Sequence, residues 1–557
     1  MTSTSHRRSE GQWAVDGHAP LNSNEVVKAE ENGLHVRQRV INDYAARGFR
    51  SIPPDDLNGR LRWWGIYTQR RQGVPGGRTG SVSPEDLNDS HFMMRVRIDG
   101  LGLTVRQLRV LGDISTKFAR GTADITDRQN LQFHWIEIES VPEIWRRLEA
   151  VGLSTVHACG DTPRGFLCSP VAGVAADEII DPRPVIRQIK QRYIGREEIS
   201  NLPRKFKTAI TGSPTLDVLH EINDISLVGV RHPELGPGYD LWVAGALSVT
   251  PRLGERLGAF VTEEQAPDVW YAVIRLFREY GYRRLRSKAR LKFLLADWGP
   301  QRFRQVLEDE FLGYRLPDGP APAQPTGPSD HIGVHEQKDG RRYVGFAPTV
   351  GRLSGALLAD IATAAQAAGS DRVAFTPQQK VIVLDVGETK VARLLATMER
   401  LGLTANPSPF RRSTLACTGL EFCKFAFVET KGLAARTIFE LDRRLADVQL
   451  PAPISLNING CPNSCARIQL ADIGLKGQLQ QNAEGTQEFI FQVHLGGGLE
   501  SAQRGQAGLG RTLRGLKIGV AELPDYVERV SRRFVAEREP DESFAKWVQR
   551  APEESLR

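Results

Sequence analysis

The hydrophobic positions of the chain repeat in two stretches, residues 103–153 and 353–403. Each stretch predicts an apolar strand, a helix with apolar residues every three or four positions, a second strand and a second helix. Matching residues are always 250 apart: Leu103 and Leu353, Leu108 and Leu358, Leu111 and Ile361, Thr126 and Thr376, Gln129 and Gln379, Leu153 and Leu403. One offset held throughout indicates an internal duplication.

A looser repeat follows each of these stretches. Residues 226–230 and 239–247 resemble residues 471–475 and 491–499. The chain therefore predicts a duplicated α+β fold, in which each copy is a short α/β unit followed by a larger α+β unit. The proline-rich segment 316–328 would be the extended linker between the copies. A groove between two similar halves is a suitable place for a large ligand.

The segments before the first repeat give weaker patterns. Residues 1–20 are polar without periodicity and predict disorder. Residues 25–48 predict a helix that ends near Gly48, and residues 62–67 predict an aromatic strand. Residues 73–90 are rich in Gly, Ser, Asp and Pro and predict a loop.

Composition places the chain among globular proteins of several domains. It has 557 residues, of which 40% are hydrophobic and 25% charged. No run of 18 apolar residues predicts a membrane span, so no membrane association is expected. Residues 1–10 lack the apolar core of a signal peptide, and we therefore expect a cytoplasmic protein.

The formal net charge of +7 favours an acidic partner or an anionic ligand. Nucleic acid is not predicted, because basic residues are interspersed with acidic ones and no nucleic-acid-binding motif is found. The densest basic run, residues 283–292, predicts a solvated helix face.

Four of the six cysteines form two close pairs, Cys417 with Cys423 and Cys461 with Cys465. Four thiolates in two pairs are typical of an iron–sulfur cluster. Structural zinc fits less well, because its cysteine pairs usually have about two to four intervening residues. Disulfides are not expected in a reducing compartment, and unreactive buried cysteines are a further alternative.

Residues 126–134 carry a row of hydrogen-bonding side chains. Alternate residues of a strand share a face, so Arg128, Asn130, Gln132 and His134 are predicted to point the same way. A solvent-exposed face is the alternative. The second copy has isoleucine and leucine in place of Gln132 and His134, which favours a ligand-binding face in the first copy.

Further cationic groups lie in the first half, at places that roughly correspond to the cysteines of the second. Arg95 shares a strand face with Arg97, Lys205 shares one with Lys207, and Arg164 lies in a turn-rich segment. Each alone is typical of surface charge. Together they predict an anion pocket, in which Arg clamps oxyanions and Lys supplies charge or protons.

The cysteine motifs, the run Thr126-Asp-Arg-Gln-Asn-Leu-Gln-Phe-His134 and the duplication resemble those of the sirohaem sulfite and nitrite reductases, especially actinobacterial ferredoxin-dependent sulfite reductases. The resemblance covers nearly the whole chain. It implies an α+β fold with two ferredoxin-like half-domains and two larger α+β domains around a pseudo-twofold axis. The implied boundaries are an N-terminal arm 1–84, half-domains 85–153 and 329–406, a sirohaem and substrate domain 154–328, and a cluster and sirohaem domain 407–557.

The resemblance also implies roles for individual residues. The ligands of a [4Fe–4S] cluster would be Cys417, Cys423, Cys461 and Cys465, with Cys465 also bound to the sirohaem iron. The sirohaem contacts would be Arg95, Thr126, Arg128, Gln132, His134, Arg164 and Asn463. The substrate anion would be bound by Arg95, Arg164, Lys205 and Lys207. A thioether cross-link would join Tyr67 and Cys159, whereas Cys168 has no assigned role.

The expected activity is the six-electron reduction of sulfite to sulfide by a monomeric, ferredoxin-dependent assimilatory enzyme. A nitrite reductase that forms ammonia on the same scaffold is the first alternative, and a non-enzymatic electron carrier is the second. The sequence contains no dinucleotide-binding fingerprint between a strand and a helix, so electrons are expected from a separate acidic ferredoxin.

Overall fold

The computed structural model describes residues 22–325, 329–481, 485–501 and 505–557. The predicted disorder of residues 1–20 and the end of the predicted linker lie outside these ranges. No helix within them is long and apolar enough to cross a membrane.

The N-terminal arm is a series of short helices leading to one strand. Its elements are α1 Ser23–Glu30, α2 Val36–Arg39, a π-helix Val40–Tyr44, α3 Ala45–Arg47, α4 Pro54–Asn58 and β1 Ile66–Arg70. The single helix predicted for residues 25–48 is wrong: Asn32 caps a separate turn by accepting from the amide of Leu34. The strand predicted for residues 62–67 is partly wrong, because Arg60–Trp64 form a 3₁₀ helix.

The two repeated stretches have the same order of elements. The first contains β2 Asn88–Val96, β3 Leu103–Thr104, α5 Val105–Phe118, β4 Thr122–Ile125, β5 Leu131–Ile136 and α6 Val141–Glu149. The first larger unit contains β6 Leu167–Cys168, α7 Arg183–Tyr193, β7 Thr208–Thr211, β8 Ile225–His232, β9 Gly236–Val243, β10 Glu255–Val261, α8 Ala266–Tyr280, α9 Leu291–Val306 and a π-helix Leu307–Leu312.

The second half follows the same plan. Its repeated stretch contains β11 Gly333–Glu336, β12 Arg342–Phe346, β13 Arg352–Ser354, α10 Gly355–Ala367, β14 Arg372–Phe375, β15 Val381–Val386 and α11 Val391–Arg400. Its larger unit contains α12 Pro409–Ser413, β16 Thr414–Ala416, α13 Lys431–Arg444, β17 Leu456–Asn459, β18 Ile473–Gln481, β19 Gln487–Leu495, β20 Lys517–Gly519, α14 Leu523–Glu537 and α15 Phe544–Arg550. The predicted duplication is confirmed. Each copy also contains one strand that was not predicted, β4 in the first and β14 in the second.

The two half-domains exchange a strand. One sheet has the order β1-β2-β5-β4-β13 and the other β11-β12-β15-β14-β3, so each is completed by a strand of the other copy. The pairings are equivalent: Leu353 lies opposite Ala123, and Leu103 lies opposite Val373. Helices α5 and α10 pack closely, since a Cβ at Gly112 would lie 2.7 Å from the carbonyl oxygen of Gly355. One hydrophobic core therefore serves both half-domains.

Each larger unit is built on a five-stranded mixed sheet. The orders are β10-β9-β8-β7-β6 and β16-β17-β18-β19-β20. In both sheets the first three strands in the sequence are parallel and the remaining pairs antiparallel. The strands β6 and β7 of the first half thus correspond to β16 and β17 of the second.

The solvated helix face predicted for residues 283–292 is only partly correct, because Arg284 and Lys288 are exposed but other basic residues of the run are buried. Arg283 is buried and forms an ion pair with Glu25 at 3.0 Å. Arg290 is buried against Asp224, with Nη2 and Oδ2 2.8 Å apart. These cations join the arm and the interior of the first larger unit, where buried charges require partners.

Candidate active site

The four cysteines lie at the carboxyl ends of two neighbouring strands. Cys417 directly follows β16, and Cys461 follows β17 after Gly460. Because β16 and β17 are parallel, both residues emerge at the same edge of the sheet. The amide of Gly460 donates to Cys417 Sγ at 3.3 Å, which joins the two loops. Cys423 and Cys465 complete the pairs further along the same loops.

Burial, together with the neighbouring Cys465, raises the pKa of Cys417 to about 11 and that of Cys423 to about 12. Thiols of this kind stay protonated in water but release their protons to a metal. Within the described residues, no three His, Cys, Asp or Glu side chains are gathered around a point as one metal ion requires. Thiolates of a cluster of several irons bind different metal atoms and need not converge on one point.

The first half-domain holds the loop that contains Cys423. Arg70 N donates to the carbonyl of Phe422 at 2.8 Å, and Lys424 Nζ donates to Thr68 Oγ1 at 2.6 Å. The Phe422 ring stacks on the His134 ring with centroids 3.7 Å apart. The cysteine loop of the second half is therefore held by β1 and β5, two strands of the first half-domain's sheet.

Gln132 links the cationic face to the cysteine loop. Its Oε1 accepts from Arg95 Nη2 at 3.0 Å, and its Nε2 donates to Thr418 Oγ1 at 3.2 Å. Nε2 also lies 3.0 Å from Nε2 of His134. Burial lowers the pKa of His134 to about 3, so its imidazole is neutral near pH 7. His134 thus supplies a neutral stacking surface rather than a positive charge.

The polar face predicted for residues 128–134 is only partly correct. Strand β5 begins at Leu131, and Thr126 to Asn130 form a tight turn in which Gln129 has φ 55°. Thr126 Oγ1 accepts from the amides of Arg128 and Asn130 at 3.3 and 3.1 Å, so its hydroxyl shapes the turn. Arg128 leaves the turn toward β7, donating to the carbonyls of Gly165 and Thr208 at 2.8 and 3.1 Å.

The predicted lysines lie together at the amino end of β7. Phe206 between them is fully buried, and Lys205 and Lys207 are both partly exposed on the other side. Burial, together with the nearby Arg128, lowers the pKa of Lys207 to about 8. Burial and the charge of Lys207 also hold the pKa of Lys205 well below its usual value. An anion bound beside these two amines would offset their positive charge and stabilise their protonated forms.

One cavity contains residues from both halves. Its lining includes Arg128, Lys205, Lys207, Arg290, Asn463 and Arg467. Sequence reasoning missed Arg290 and Arg467. Arg290 belongs to the basic run assigned to solvent, and Arg467 follows Cys465 by two residues, which was the available signal.

Cys465 lies on a loop that reaches the cationic groups. It is the exposed member of the four cysteines, and its loop neighbour Ser464 lines the cavity with Lys205 and Lys207. Asn463 on the same loop is exposed and faces the lysines across the shared cavity. The structure therefore brings the two predicted sets of residues together.

Arg95 and Arg164 meet beside Cys159, since both donate to the carbonyl of Ala158, at 3.5 and 3.4 Å. Arg95 Nη1 lies 3.2 Å from Cys159 Sγ, and Arg164 donates to the carbonyl of Gly160 at 2.9 and 3.1 Å. Burial raises the pKa of Tyr67, and Cys159 is among the groups that act on it. By contrast, Arg97 is buried in an ion pair with Asp99 and is not available to a ligand. Cys168 is fully buried in the core.

The residues fit an anionic tetrapyrrole beside an iron–sulfur cluster. Arg95 Nε, Arg128 Nε and Arg467 Nη1 are buried without a hydrogen-bond partner in the described part of the chain. Buried donors of this kind are costly unless a ligand satisfies them. The carboxylates of sirohaem would supply acceptors, and the four cysteines would supply thiolate ligands.

Comparison with known proteins gives the family. "Nitrite and sulphite reductase 4Fe-4S domain" matches residues 159–313 and 408–557, and "Nitrite/Sulfite reductase ferredoxin-like half domain" matches residues 85–151 and 335–401. The chain belongs to the nitrite and sulphite reductase family. The 4Fe–4S domain of this family implies an iron–sulfur cluster, and the predicted pair of ferredoxin-like half-domains is confirmed.

Relatives match along nearly the full length. Sulfite reductase [ferredoxin] 2 of Mycolicibacterium paratuberculosis is 54% identical over 99% of this chain and 98% of that protein. The assimilatory ferredoxin-dependent nitrite reductase of Haloferax mediterranei is 33% identical over 94% of this chain and 91% of that protein. The structure of the Mycobacterium tuberculosis NirA protein superposes with a TM-score of 0.95 at 54% identity, covering 98% of this chain and all of that one.

Proposed function

We propose that this chain is a ferredoxin-dependent assimilatory sulfite reductase, which reduces sulfite to sulfide with six electrons. The observation that carries the proposal is the loop 461–465, which contains two of the four cysteines and places Asn463 and Ser464 in a cavity that Lys205 and Lys207 also line. An electron carrier requires no such cationic cavity. The 54% identity to sulfite reductases, against 33% for a nitrite reductase, supports sulfite as the substrate.

Sirohaem and a [4Fe–4S] cluster, when bound, would supply the electrons one at a time to the substrate. Cys417, Cys423, Cys461 and Cys465 would hold the cluster, and the sulfur of Cys465 would also bind the sirohaem iron. Arg95, Thr126, Arg128, Gln132, His134, Arg164 and Asn463 would surround the sirohaem. The unpartnered Nε atoms of Arg95 and Arg128 support this assignment.

Arg95, Arg164, Lys205 and Lys207 would bind the substrate anion. Fixed cations stabilise an oxyanion and the negative charge that develops as its oxygens leave. Three oxygens leave sulfite as water, so the site must supply protons. The Lys207 ammonium, with a pKa of about 8, is protonated at neutral pH yet can release its proton.

Electrons would come from a separate acidic ferredoxin. The chain has a net charge of +7, which would steer an acidic donor toward it. Salt screens such steering over about 8 Å at physiological ionic strength, so activity with ferredoxin should fall as salt rises. Direct turnover with NADPH by the purified chain would contradict this dependence on ferredoxin.

The proposal is tested by assaying one enzyme preparation, reduced by ferredoxin, with sulfite and with nitrite. Sulfide and ammonia production are measured in steady state, and we expect the higher kcat/KM for sulfite. A kcat/KM for nitrite tenfold above that for sulfite, about 1.4 kcal/mol in transition-state energy, would make the chain a nitrite reductase. Absence of turnover with both anions in protein loaded with both cofactors would favour an electron carrier.

A further inference from the structure

Three charged side chains lie where the exchanged strand of the second half-domain meets the cysteine-bearing unit. Asp124 on β4 and Arg352 on β13 face each other in the strand pair, with Arg352 Nε 3.2 Å from Asp124 Oδ1. Lys431 is the first residue of α13, and its Nζ lies 3.7 Å from the same oxygen. Asp124 and Lys431 are both buried. The group therefore contains one residue from each half-domain and one from the second larger unit.

Hydrogen bonds connect this group to the loop that follows β16. Arg352 Nη2 donates to Glu421 Oε2 of that loop at 2.8 Å. Thr430, which directly precedes Lys431, donates from Oγ1 to the carbonyl of Cys417 at 2.6 Å, and the Cys417 sulfur lies 3.8 Å from the same hydroxyl. Direct contacts thus tie Arg352 and the residue next to Lys431 to the loop that contains two of the four cysteines.

Asp124 and Lys431 form a buried pair of opposite charges. Burial opposes the ionisation of Asp124, but Lys431 and Arg352 hold the pKa of its carboxyl below the usual value. Burial also lowers the pKa of Lys431, whereas the Asp124 carboxylate raises it and favours the ammonium form. Lys431 Nζ donates to the carbonyl of Val350 at 2.5 Å, which fixes the position of this charge. Buried charges are screened much less than exposed ones and act more strongly on their surroundings.

The other exchanged strand shows that this kind of strand pairing does not require charge. The positions equivalent to Arg352 and Asp124, 250 residues away, are Gly102 and Ala374. They are neighbours as well, since a Cβ on Gly102 would lie 4.0 Å from the Cβ of Ala374. At these two facing positions, the exchange beside the cysteine loop carries charge and the other carries none.

The place of Lys431 is also unfavourable for helix α13 itself. The N-terminal end of a helix carries partial positive charge, so a cation there is less stable than an anion. Burial of the ammonium adds the cost of removing a charge from water. Neither strand pairing nor helix formation explains these costs, which indicates that the charge itself has a role.

We propose that Lys431 and Asp124 set the reduction potential of the cluster held by the four cysteines, with Lys431 raising the potential and Asp124 limiting that rise. Reduction adds negative charge to a cluster, so a buried cation nearby stabilises the reduced form and a buried anion destabilises it. The two residues act through their charge and do not contact the substrate anion. The inference rests on the [4Fe–4S] cluster of the proposed function and is independent of which anion is reduced.

The test is a redox titration of the holoenzyme, in which electron paramagnetic resonance measures the reduced cluster. Lys431→Met removes the charge, and at a fixed potential its ratio of reduced to oxidised cluster should fall about tenfold, which is about 59 mV toward lower potential for one electron. Lys431→Arg keeps the charge and should keep the wild-type potential. Asp124→Asn, combined with Lys431→Arg so that the cation stays charged, should raise the potential by a similar amount.

Asp385→Asn is the matched control. Asp385 is a buried carboxylate on β15 that pairs with Arg372 at 2.8 Å, and Arg372 lies opposite Thr104 in the other exchanged strand pair. The substitution removes a comparable buried charge within the second half-domain. It should leave the potential of the cluster unchanged.

Shifts of opposite sign separate an effect of charge from a merely structural role. Unchanged potentials, or shifts of the same sign in the Lys431→Met and Asp124→Asn variants, would overturn the proposal, as would an equal shift in Asp385→Asn. If Lys431→Met loses its cluster, the variant that combines Asp124→Asn with Lys431→Arg still decides. Failure of the proposed function is a different result, because wild-type enzyme would then reduce neither anion, whereas the titration requires no substrate.

Discussion

The two larger sheets have the same strand order but use opposite ends of equivalent strands. In the first, Arg164 precedes β6 and Lys205 and Lys207 precede β7. In the second, Cys417 follows β16 and Cys461 follows β17. The sequence-based expectation that cations and cysteines occupy corresponding places is therefore wrong.

This difference explains how a duplicated fold can combine two kinds of chemistry. The cavity lined by Lys205, Lys207 and Asn463 shows that the amino end of β7 faces the loop after β17. Had both halves used the same end, the duplication would place similar groups in similar surroundings. Because they use opposite ends, thiolates and cations meet across one site. Substitutions on the thiolate side and on the cationic side should therefore have separable effects.

Cys465→Ser should have the largest effect. A hydroxyl is a poor ligand for a soft metal, so the link between the thiolate side and the cationic side is lost and activity falls to background. Iron content, sirohaem content and optical spectra measure this loss. Cys168→Ala, at a buried cysteine on β6, is the matched control and should keep both cofactors. Wild-type spectra and activity in Cys465→Ser would remove Cys465 from the bridging role.

Lys207→Ala should lower kcat/KM for sulfite by ~10²-fold, because it removes a proton donor and a charge from the amino end of β7. Sirohaem should stay bound. Steady-state kinetics and the Soret absorbance measure the two properties separately. Lys546→Ala, at an exposed lysine of α15, is the control. Loss of sirohaem in Lys207→Ala would instead assign this lysine to the cofactor.

Arg128→Gln should weaken sirohaem binding by about 2 kcal/mol, roughly 30-fold, since it removes charge-assisted hydrogen bonds. Arg106→Gln, at an exposed arginine of α5, is the matched control and should retain sirohaem. Equal retention by both variants would contradict the assignment of Arg128 to the cofactor.

The pH profile with nitrite should fall above pH 8. Lys207 carries its proton below its pKa of about 8 and loses it above, so activity should drop about tenfold per pH unit there. Nitrite is the chosen substrate because it stays a monoanion throughout this range. Lys207→Arg should move the decline to higher pH, because Arg stays charged. A profile with the same decline in Lys207→Arg would assign it to another group.

Cys159→Ser should have the smallest effect, a two- to threefold change in kcat, estimated from the loss of one contact to Arg95. The same position tests the proposed cross-link. If Tyr67 and Cys159 are joined, a tryptic digest of active enzyme contains their two peptides as one species. Separate, unmodified peptides would exclude the link.

The sequence predicted the features that depend on local pattern. The cysteine pairs, the 250-residue repeat and the lysines around a buried Phe206 can all be read from spacing. Arg290 could not be placed, because its partner Asp224 is distant in sequence and only the fold brings them together. The stacking of His134 on Phe422 likewise depends on contact between the two halves. The turn at Gln129 was missed because a positive φ at a non-glycine residue leaves no mark in a hydrophobic pattern.

The exchanged strands of the half-domains set an order for folding during synthesis. The edge of β4 is covered only when β13 pairs with it, and β13 lies in the second half of the chain. At about 5–20 residues per second, the ribosome needs on the order of 10–50 s to deliver β13 after β4. During that interval the nascent first half has an open strand edge, which favours pairing with another chain. A protein truncated before residue 352 should therefore aggregate rather than fold as half an enzyme.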